Sequence, residues 1–258
     1  MDIAWTVKGK TPDPIPEGGW LCFPFKVANP AFRVGRAGAP INPSKDILPG
    51  MGRYIMSVET GVSIRSGAGG AGAVAASADL PLWSMGEPGL WNFSGDYVPT
   101  TPELFANLYN NMWSTNFRLW QDGSWTSTVR IWPVAGNATD EQALFTPSWK
   151  LRQPVLTAYA DGKAGKLPVS AAGLALSRPG IRVTAFGPNP DGSVPGTLLR
   201  VWEQAGVSGE LVVTGLNAKT ATPVNLRGER NGSSVAVRNG RLIFTLPAYA
   251  PASFNLEN

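Results

Sequence analysis

Short runs of alternating apolar and polar residues dominate the chain. In residues 126–132 the two classes trade places with a period of two, as expected of a half-buried strand. Similar runs, rich in β-branched and aromatic residues, predict strands at 21–27, 54–64, 125–134, 181–186, 198–203, 209–214 and 241–246. Residues 102–109 could form one or two helical turns, and no longer helix is predicted. The pattern therefore predicts an all-β protein.

Turn-forming dipeptides separate these runs. Asp-Gly occurs at 122–123 and 191–192, and Asn-Gly at 231–232 and 239–240. The last pair lies between the apolar runs 235–237 and 242–244, which predicts a hairpin. Many short strands joined by such turns are typical of an antiparallel β-sandwich architecture.

Composition changes along the chain indicate two β domains. Residues 136–141 are polar, and residues 161–166 form a charged, glycine-containing loop. We therefore predict a larger N-terminal sandwich at 1–150, a linker at 151–179 and a smaller C-terminal sandwich at 180–258.

The absence of histidine restricts the chemistry more than any other feature. The chain has no histidine and one cysteine. Ser-His-Asp and Cys-His catalysis and histidine-ligated zinc are therefore excluded, no disulfide forms within the chain, and only carboxylates and carbonyls remain as metal ligands. We expect no metal and no cofactor. Cys22 lies in the apolar run 20–25, which predicts a buried structural thiol.

Charge and hydropathy argue against two classes of partner. The 22 basic and 18 acidic residues give a net charge of +4, and the basic residues are scattered, which disfavours nucleic acid. No apolar run approaches the ~20 residues of a membrane span, so no membrane association is expected. Residues 1–8 look like a strand and not like a signal peptide, and the sequence leaves the localisation open.

The number of tryptophans in the chain suggests a carbohydrate ligand. The chain contains ten tryptophans, whose ring faces suit the apolar C–H faces of sugars. A block that mixes amides, an arginine and two of these tryptophans predicts sugar contacts from Asn110, Asn111, Trp113, Thr115, Asn116, Arg118 and Trp120. The alternative is a polar corner in which the asparagine side chains satisfy local backbone groups.

Carboxylates near strand ends or in aromatic surroundings are the candidates for catalysis. A glycosidase needs two carboxylates roughly 5–10 Å apart across the bond that is cleaved. For Glu203 the alternative is a partly buried ion pair with Arg200. The glycine-rich residues 67–72 match a nucleotide-binding spacing, but a proline follows too soon for a helix, so a hairpin loop is expected. The candidate carboxylates are Glu17, Asp46, Glu59, Asp96 and Glu203.

Four segments resemble a known family. Residues 16–25, 88–93, 108–117 and 198–206 are similar to parts of the C-terminal β-sandwich region of bacterial family 38 (α-mannosidase-type) glycoside hydrolases. The resemblance implies β domains that complete a sugar cleft against an α/β domain, which carries the nucleophilic aspartate and a zinc ion. These 258 residues contain no such α/β domain and no histidine, so neither the zinc site nor the nucleophile is carried over.

Two hypotheses follow from the sequence. The first is an accessory β region that forms or supports a sugar cleft, with carbohydrate as its ligand and with self-association or a separate catalytic domain as a further partner. The alternative is a small stand-alone glycoside hydrolase, which uses a pair of the named carboxylates without zinc or histidine.

Overall fold

The computed structural model confirms an all-β protein of sandwich type. It describes residues 1–67, 69–89, 94–111, 118, 120–159, 162, 165–166, 168–190 and 195–258. The chain divides into two compact units, Met1–Pro154 and Val155–Asn258. Each unit contains two antiparallel sheets, and all strand pairs among the described residues are antiparallel, as hairpin-type connections favour.

The first unit is built from a six-stranded and a four-stranded sheet. The six-stranded sheet has the order β1-β10-β7-β6-β3-β4, and the four-stranded sheet has the order β2-β9-β8-β5. In chain order the strands are β1 (Asp2–Lys10), β2 (Gly18–Pro24), β3 (Pro30–Arg36), β4 (Ala39–Ile41), β5 (Met56–Ser57), β6 (Val62–Ser66), β7 (Gly72–Ala76), β8 (Leu82–Met85), β9 (Glu103–Asn110) and β10 (Gly123–Val134).

The core of this unit lies between its two sheets. Ile64 and Val129 enter it from the six-stranded sheet, and Trp83 and Leu104 enter it from the four-stranded sheet. Trp83 is only 1% exposed, and its indole N–H donates to the carbonyl of Leu80 at 2.9 Å. The largest core side chain thus has its single polar group satisfied, as burial requires.

A short helical segment covers the outer face of the six-stranded sheet. A π-helical turn (Glu141–Phe145) continues into α1 (Thr146–Arg152), and Leu144 and Phe145 pack on Val74 and Val134. A proline in the first turn of α1 and basic residues in its last turn suit the ends of a helix. No helix among the described residues has the length and apolarity needed to cross a bilayer.

The second unit is a smaller pair of sheets. The three-stranded sheet has the order β11-β14-β17 and the five-stranded sheet has the order β12-β13-β18-β15-β16. Leu199 and Phe254 of one sheet pack with Leu211 and Leu242 of the other. In chain order the strands are β11 (Ala175–Leu176), β12 (Ile181–Pro188), β13 (Thr197–Glu203), β14 (Gly209–Thr214), β15 (Thr220–Pro223), β16 (Val235–Ala236), β17 (Leu242–Leu246) and β18 (Pro251–Glu257).

The expectation of helical turns at 102–109 is wrong, because this segment is β9. Leu104 and Ala106 point into the core, while β9 is paired with β2 on one side and with β8 on the other. Pairing on both sides outweighs the weak local preference for a helix.

The predicted strand 54–64 is two strands in different sheets. The chain leaves the four-stranded sheet after Ser57 and enters the six-stranded sheet at Val62. Gly61 permits this tight crossing, because a Cβ there would lie 2.9 Å from the carbonyl oxygen of Ala75.

The turn at Asn239-Gly240 is present, but the predicted hairpin does not continue on both sides. Arg238 and Arg241 exchange two backbone hydrogen bonds of 3.0 Å across the turn. Both turn residues have positive φ, at 52° and 70°, as a two-residue hairpin turn of type I′ requires. Beyond this bridge the strands separate, because β16 pairs with β15 and β17 pairs with β14.

The prediction of a buried Cys22 is wrong. Cys22 is exposed and lies on the outer face of β2, whereas its neighbour Phe23 is buried in the core. The period of two along the strand places these neighbours on opposite faces. Partial desolvation, followed by the negative charge of Glu103, raises the pKa of the Cys22 thiol.

The glycine-rich segment at 67–72 joins β6 to β7 as a hairpin, which confirms the loop interpretation. Arg65 pairs with Gly72 across the two antiparallel strands. Arg65 is buried, and its guanidinium donates to the carbonyls of Gly70 (2.9 Å), Gly69 (3.1 Å) and Ala138 (2.7 Å). The loop thus folds around an arginine of its own unit.

Candidate functional site

A groove lies where β9 ends and the chain returns to β10 in the first unit. It has a volume of about 460 Å³ and we call it the Trp120 groove. Its described lining combines apolar, amide and charged side chains. These residues are Leu82, Asn110, Asn111, Arg118, Trp120, Gln121 and Asp122.

Trp120 is the aromatic surface of the groove. Its side chain is 39% exposed, and the guanidinium carbon of Arg118 lies 5.4 Å from the centre of its ring. Arg118 also forms an ion pair with Asp122, with 3.2 Å between Nη2 and Oδ1. The two charges compensate each other, so the groove presents an aromatic ring beside neutralised polar groups.

Asn111 supports the groove from inside. Its side chain is almost fully buried; its Nδ2 donates to the carbonyls of Asp13 (2.8 Å) and Ile15 (3.2 Å), and its Oδ1 accepts the backbone N–H of Glu17 at 2.7 Å. One side chain therefore holds the loop that precedes β2 against the end of β9. The polar-corner alternative expected bonds to local backbone groups, whereas these bonds join positions 94 to 98 residues apart in the sequence.

A second set of contacts secures the ends of four strands close to this loop. Lys10, the last residue of β1, forms an ion pair with Glu17, which lies directly before β2. The Nζ of Lys10 is 5.2 Å from the centre of the Tyr109 ring on β9, and that ring meets Trp125 of β10 edge-on at 5.8 Å. The edge-on geometry is the favoured one for aromatic pairs.

No protein-family model and no curated protein matches this chain.

Four of the five candidate carboxylates lie in the first unit, and each is engaged locally. Glu17 pairs with Lys10, Asp46 accepts the N–H of Asn42 at 2.6 Å, and Glu59 accepts the N–H of Gly38 at 2.8 Å. Asp96 accepts a hydrogen bond from the Ser94 hydroxyl, which lowers the pKa of Asp96. These contacts are the ones by which carboxylates stabilise turns and loops.

Glu203, the fifth candidate, lies in the second unit and is fully buried. Its carboxylate accepts the N–H groups of Ala205 (3.0 Å), Gly206 (2.9 Å) and Tyr249 (2.8 Å). Its ion-pair partner is Arg178, at 3.5 Å. The expected pair with Arg200 is not formed, because residues three apart in a strand point to opposite faces.

The predicted sugar-contacting residues are placed as follows. Asn110, Asn111, Arg118 and Trp120 line the groove, and the side chain of Asn110 also donates to Oδ1 of Asn107 at 3.4 Å. Trp113, Thr115 and Asn116 lie outside the described residues. Leu82, Gln121 and Asp122 also line the groove and were not predicted. The turn signal at Asp122-Gly123 marked the position of Gln121 and Asp122 but not their role, and it did not mark Leu82 on β8.

The described residues offer no ready metal site. Within them, no group of three or more cysteine, aspartate and glutamate side chains converges. What the groove offers is an aromatic face with hydrogen-bonding groups around it, an arrangement that suits binding.

Proposed function

We propose that the Trp120 groove binds carbohydrate, and that the chain is a carbohydrate-binding β region of a larger carbohydrate-active system. One observation carries the proposal: the half-exposed Trp120 ring lies in a groove that is also lined by the amides of Asn110 and Gln121. A sugar ring has apolar C–H faces and polar edges, so it needs both kinds of surface at once.

The charges of the groove favour a neutral sugar. Arg118 is compensated by Asp122, and the ion pair is exposed, with 68% and 42% of the two side chains accessible. Such pairs contribute little to stability, so their groups are free to exchange partners with sugar hydroxyls. Because its two charges compensate each other, the groove offers an anionic sugar no net electrostatic attraction.

Binding without catalysis agrees with the positions of the carboxylates. Each of the five candidates is already engaged by local donors, and Glu203 belongs to a different unit from the other four. The resemblance to the sandwich region of family 38-type glycoside hydrolases implies the same role, in which the β region shapes a cleft for chemistry performed elsewhere.

The proposal is tested by affinity electrophoresis of the purified chain through gels that contain neutral polysaccharides, such as mannan, xylan and mixed-linkage glucan. We expect retardation by at least one of them and its reversal by free oligosaccharide. Unchanged mobility in every gel, with the chain folded by circular dichroism, would show that the groove is not a carbohydrate site.

A further inference from the structure

The second unit carries the entire net charge of the protein. Residues 155–258 contain ten basic and six acidic residues, a net charge of +4, whereas residues 1–154 contain twelve of each. A ligand with negative charge is therefore attracted to the second unit and not to the first.

Within this unit, Arg200 is held on the outer face of the five-stranded sheet. Its Nε donates to Oγ of Ser253 at 2.8 Å and its Nη2 donates to the carbonyl of Leu226 at 3.0 Å. Both acceptors are neutral, and no carboxylate among the described residues lies within ion-pair distance of this guanidinium. Among the described residues, the charge is therefore oriented by two neutral acceptors and not paired with a carboxylate.

A small cavity adjoins Arg200. It has a volume of about 280 Å³, and its lining includes Ser253 and Leu226, the two residues that hold the guanidinium, together with Pro251 and Val224. Such a volume lies just below the range of roughly 300–1,000 Å³ that is usual for small-molecule sites, so it suits no more than a single ring. The walls are largely apolar, so the ligand needs an apolar face as well as a charge.

Trp202 extends this surface along the same strand. It lies two residues from Arg200 and therefore on the same face, and it pairs with Pro251 of the cavity wall across the strands. Its indole N–H donates to the carbonyl of Tyr249 at 3.1 Å, which fixes the orientation of the ring. The side chain is half-buried, so part of the ring remains accessible.

We propose that Arg200, Trp202 and the adjoining cavity form a site for a uronic-acid residue of an acidic polysaccharide. The planar guanidinium suits a carboxylate, and the cavity and the indole suit the C–H face of the pyranose ring. This site is separate from the Trp120 groove and does not rest on the function proposed for it.

The test is calorimetric titration of the full chain with trigalacturonic acid and with its neutral methyl ester. We expect the acid to bind about tenfold more tightly or better, and Arg200→Gln to remove this preference. Arg241→Gln is the matched control, because Arg241 is exposed in the turn before β17 and its loss changes the net charge equally. It should change the affinity by less than about twofold.

Three results would overturn the proposal: equal affinity for acid and ester, equal losses in the two variants, or equally tight binding of polyglutamate. If Arg200→Gln fails to fold, the binding of the acid is measured with Arg200→Lys instead. This variant keeps the positive charge but cannot form a bidentate hydrogen bond with a carboxylate. We expect it to bind about threefold more weakly or worse, and wild-type affinity would contradict the site. Trp120→Ala should bind the acid as the wild type does, which separates this test from that of the groove.

Discussion

The guanidinium of Arg118 lies over the ring of Trp120, with 5.4 Å from its central carbon to the ring centre. An exposed contact of this kind contributes roughly 0.5–1 kcal/mol. It restricts the tryptophan before any ligand arrives, and a restricted side chain loses less entropy on binding. The aromatic surface of the groove is thus partly organised in advance.

Asn111 supports the fold of the first unit. Replacing it with alanine leaves one N–H and two carbonyls of the 11–17 loop, in partly buried contacts, without their partner, so Asn111→Ala should lower the free energy of unfolding by about 1–3 kcal/mol. Urea denaturation measures this. Thr11→Ala, at an exposed position of the same loop, should change it by less than about 0.5 kcal/mol. Equal losses of stability in the two variants would show that the side chain of Asn111 does not hold this loop in place.

Glu203 supports the second unit in a comparable way. Glu203→Ala removes the acceptor of three N–H groups and leaves Arg178 without its ion-pair partner, so we expect a loss of about 3–5 kcal/mol. Glu210→Gln, on an exposed face of β14, should be nearly neutral. Retained stability in Glu203→Ala would contradict a structural role for this carboxylate.

Tyr97 should make the protein sensitive to high pH. Burial, and then the negative charge of Glu87, raises the pKa of Tyr97 to about 12, and its hydroxyl donates to the carbonyl of Met85 at 2.8 Å. Because this pKa is above the unfolded value of about 10, the contribution to stability is complete below pH 10 and is lost as the pH rises through 12.

Denaturation midpoints measured between pH 9 and 12 test this expectation. The wild type should lose stability more steeply above pH 10 than Tyr97→Phe, which has no phenolic proton to release. Parallel curves for the two proteins would show that Tyr97 is not the group responsible.

The purified chain should not hydrolyse aryl glycosides, with or without a chelator. The candidate carboxylates are engaged by local donors, and the described residues bring no pair of them together in the Trp120 groove. Chelator-resistant turnover that is lost in Glu17→Ala or Asp96→Ala would instead support the alternative of a stand-alone hydrolase.

The sequence predicted where the strands lie better than it predicted which strands pair with each other. The run 209–214 coincides with β14, and the run 198–203 differs from β13 by one residue, because alternation along a strand is a local property. Which sheet a strand joins depends on distant partners. The crossing between β5 and β6 and the divergence after Asn239-Gly240 therefore could not be predicted from local pattern.

The same limit applies to the site. The mixture of amides and tryptophan at 110–120 marked the segment that lines the groove, because unusual composition is visible in the sequence. The direction of each side chain is not visible there. Asn110 and Asn111 are neighbours of the same residue type, but the side chain of Asn111 hydrogen-bonds to the loop that precedes β2, whereas the side chain of Asn110 donates to Asn107. The period of two along a strand could have shown, from the sequence alone, that Arg200 and Glu203 point to opposite faces of the sheet and do not form an ion pair.

Calorimetric titration of the tightest-binding neutral oligosaccharide into the wild type, Trp120→Ala and Trp5→Ala tests the central claim most directly. Trp5 is 47% exposed on β1 and does not line the groove, so it matches Trp120 in type and exposure. We predict that Trp120→Ala weakens binding about tenfold or more, equivalent to about 1.4 kcal/mol, and that Trp5→Ala leaves it unchanged. Equal affinities in all three proteins would contradict a carbohydrate site at Trp120.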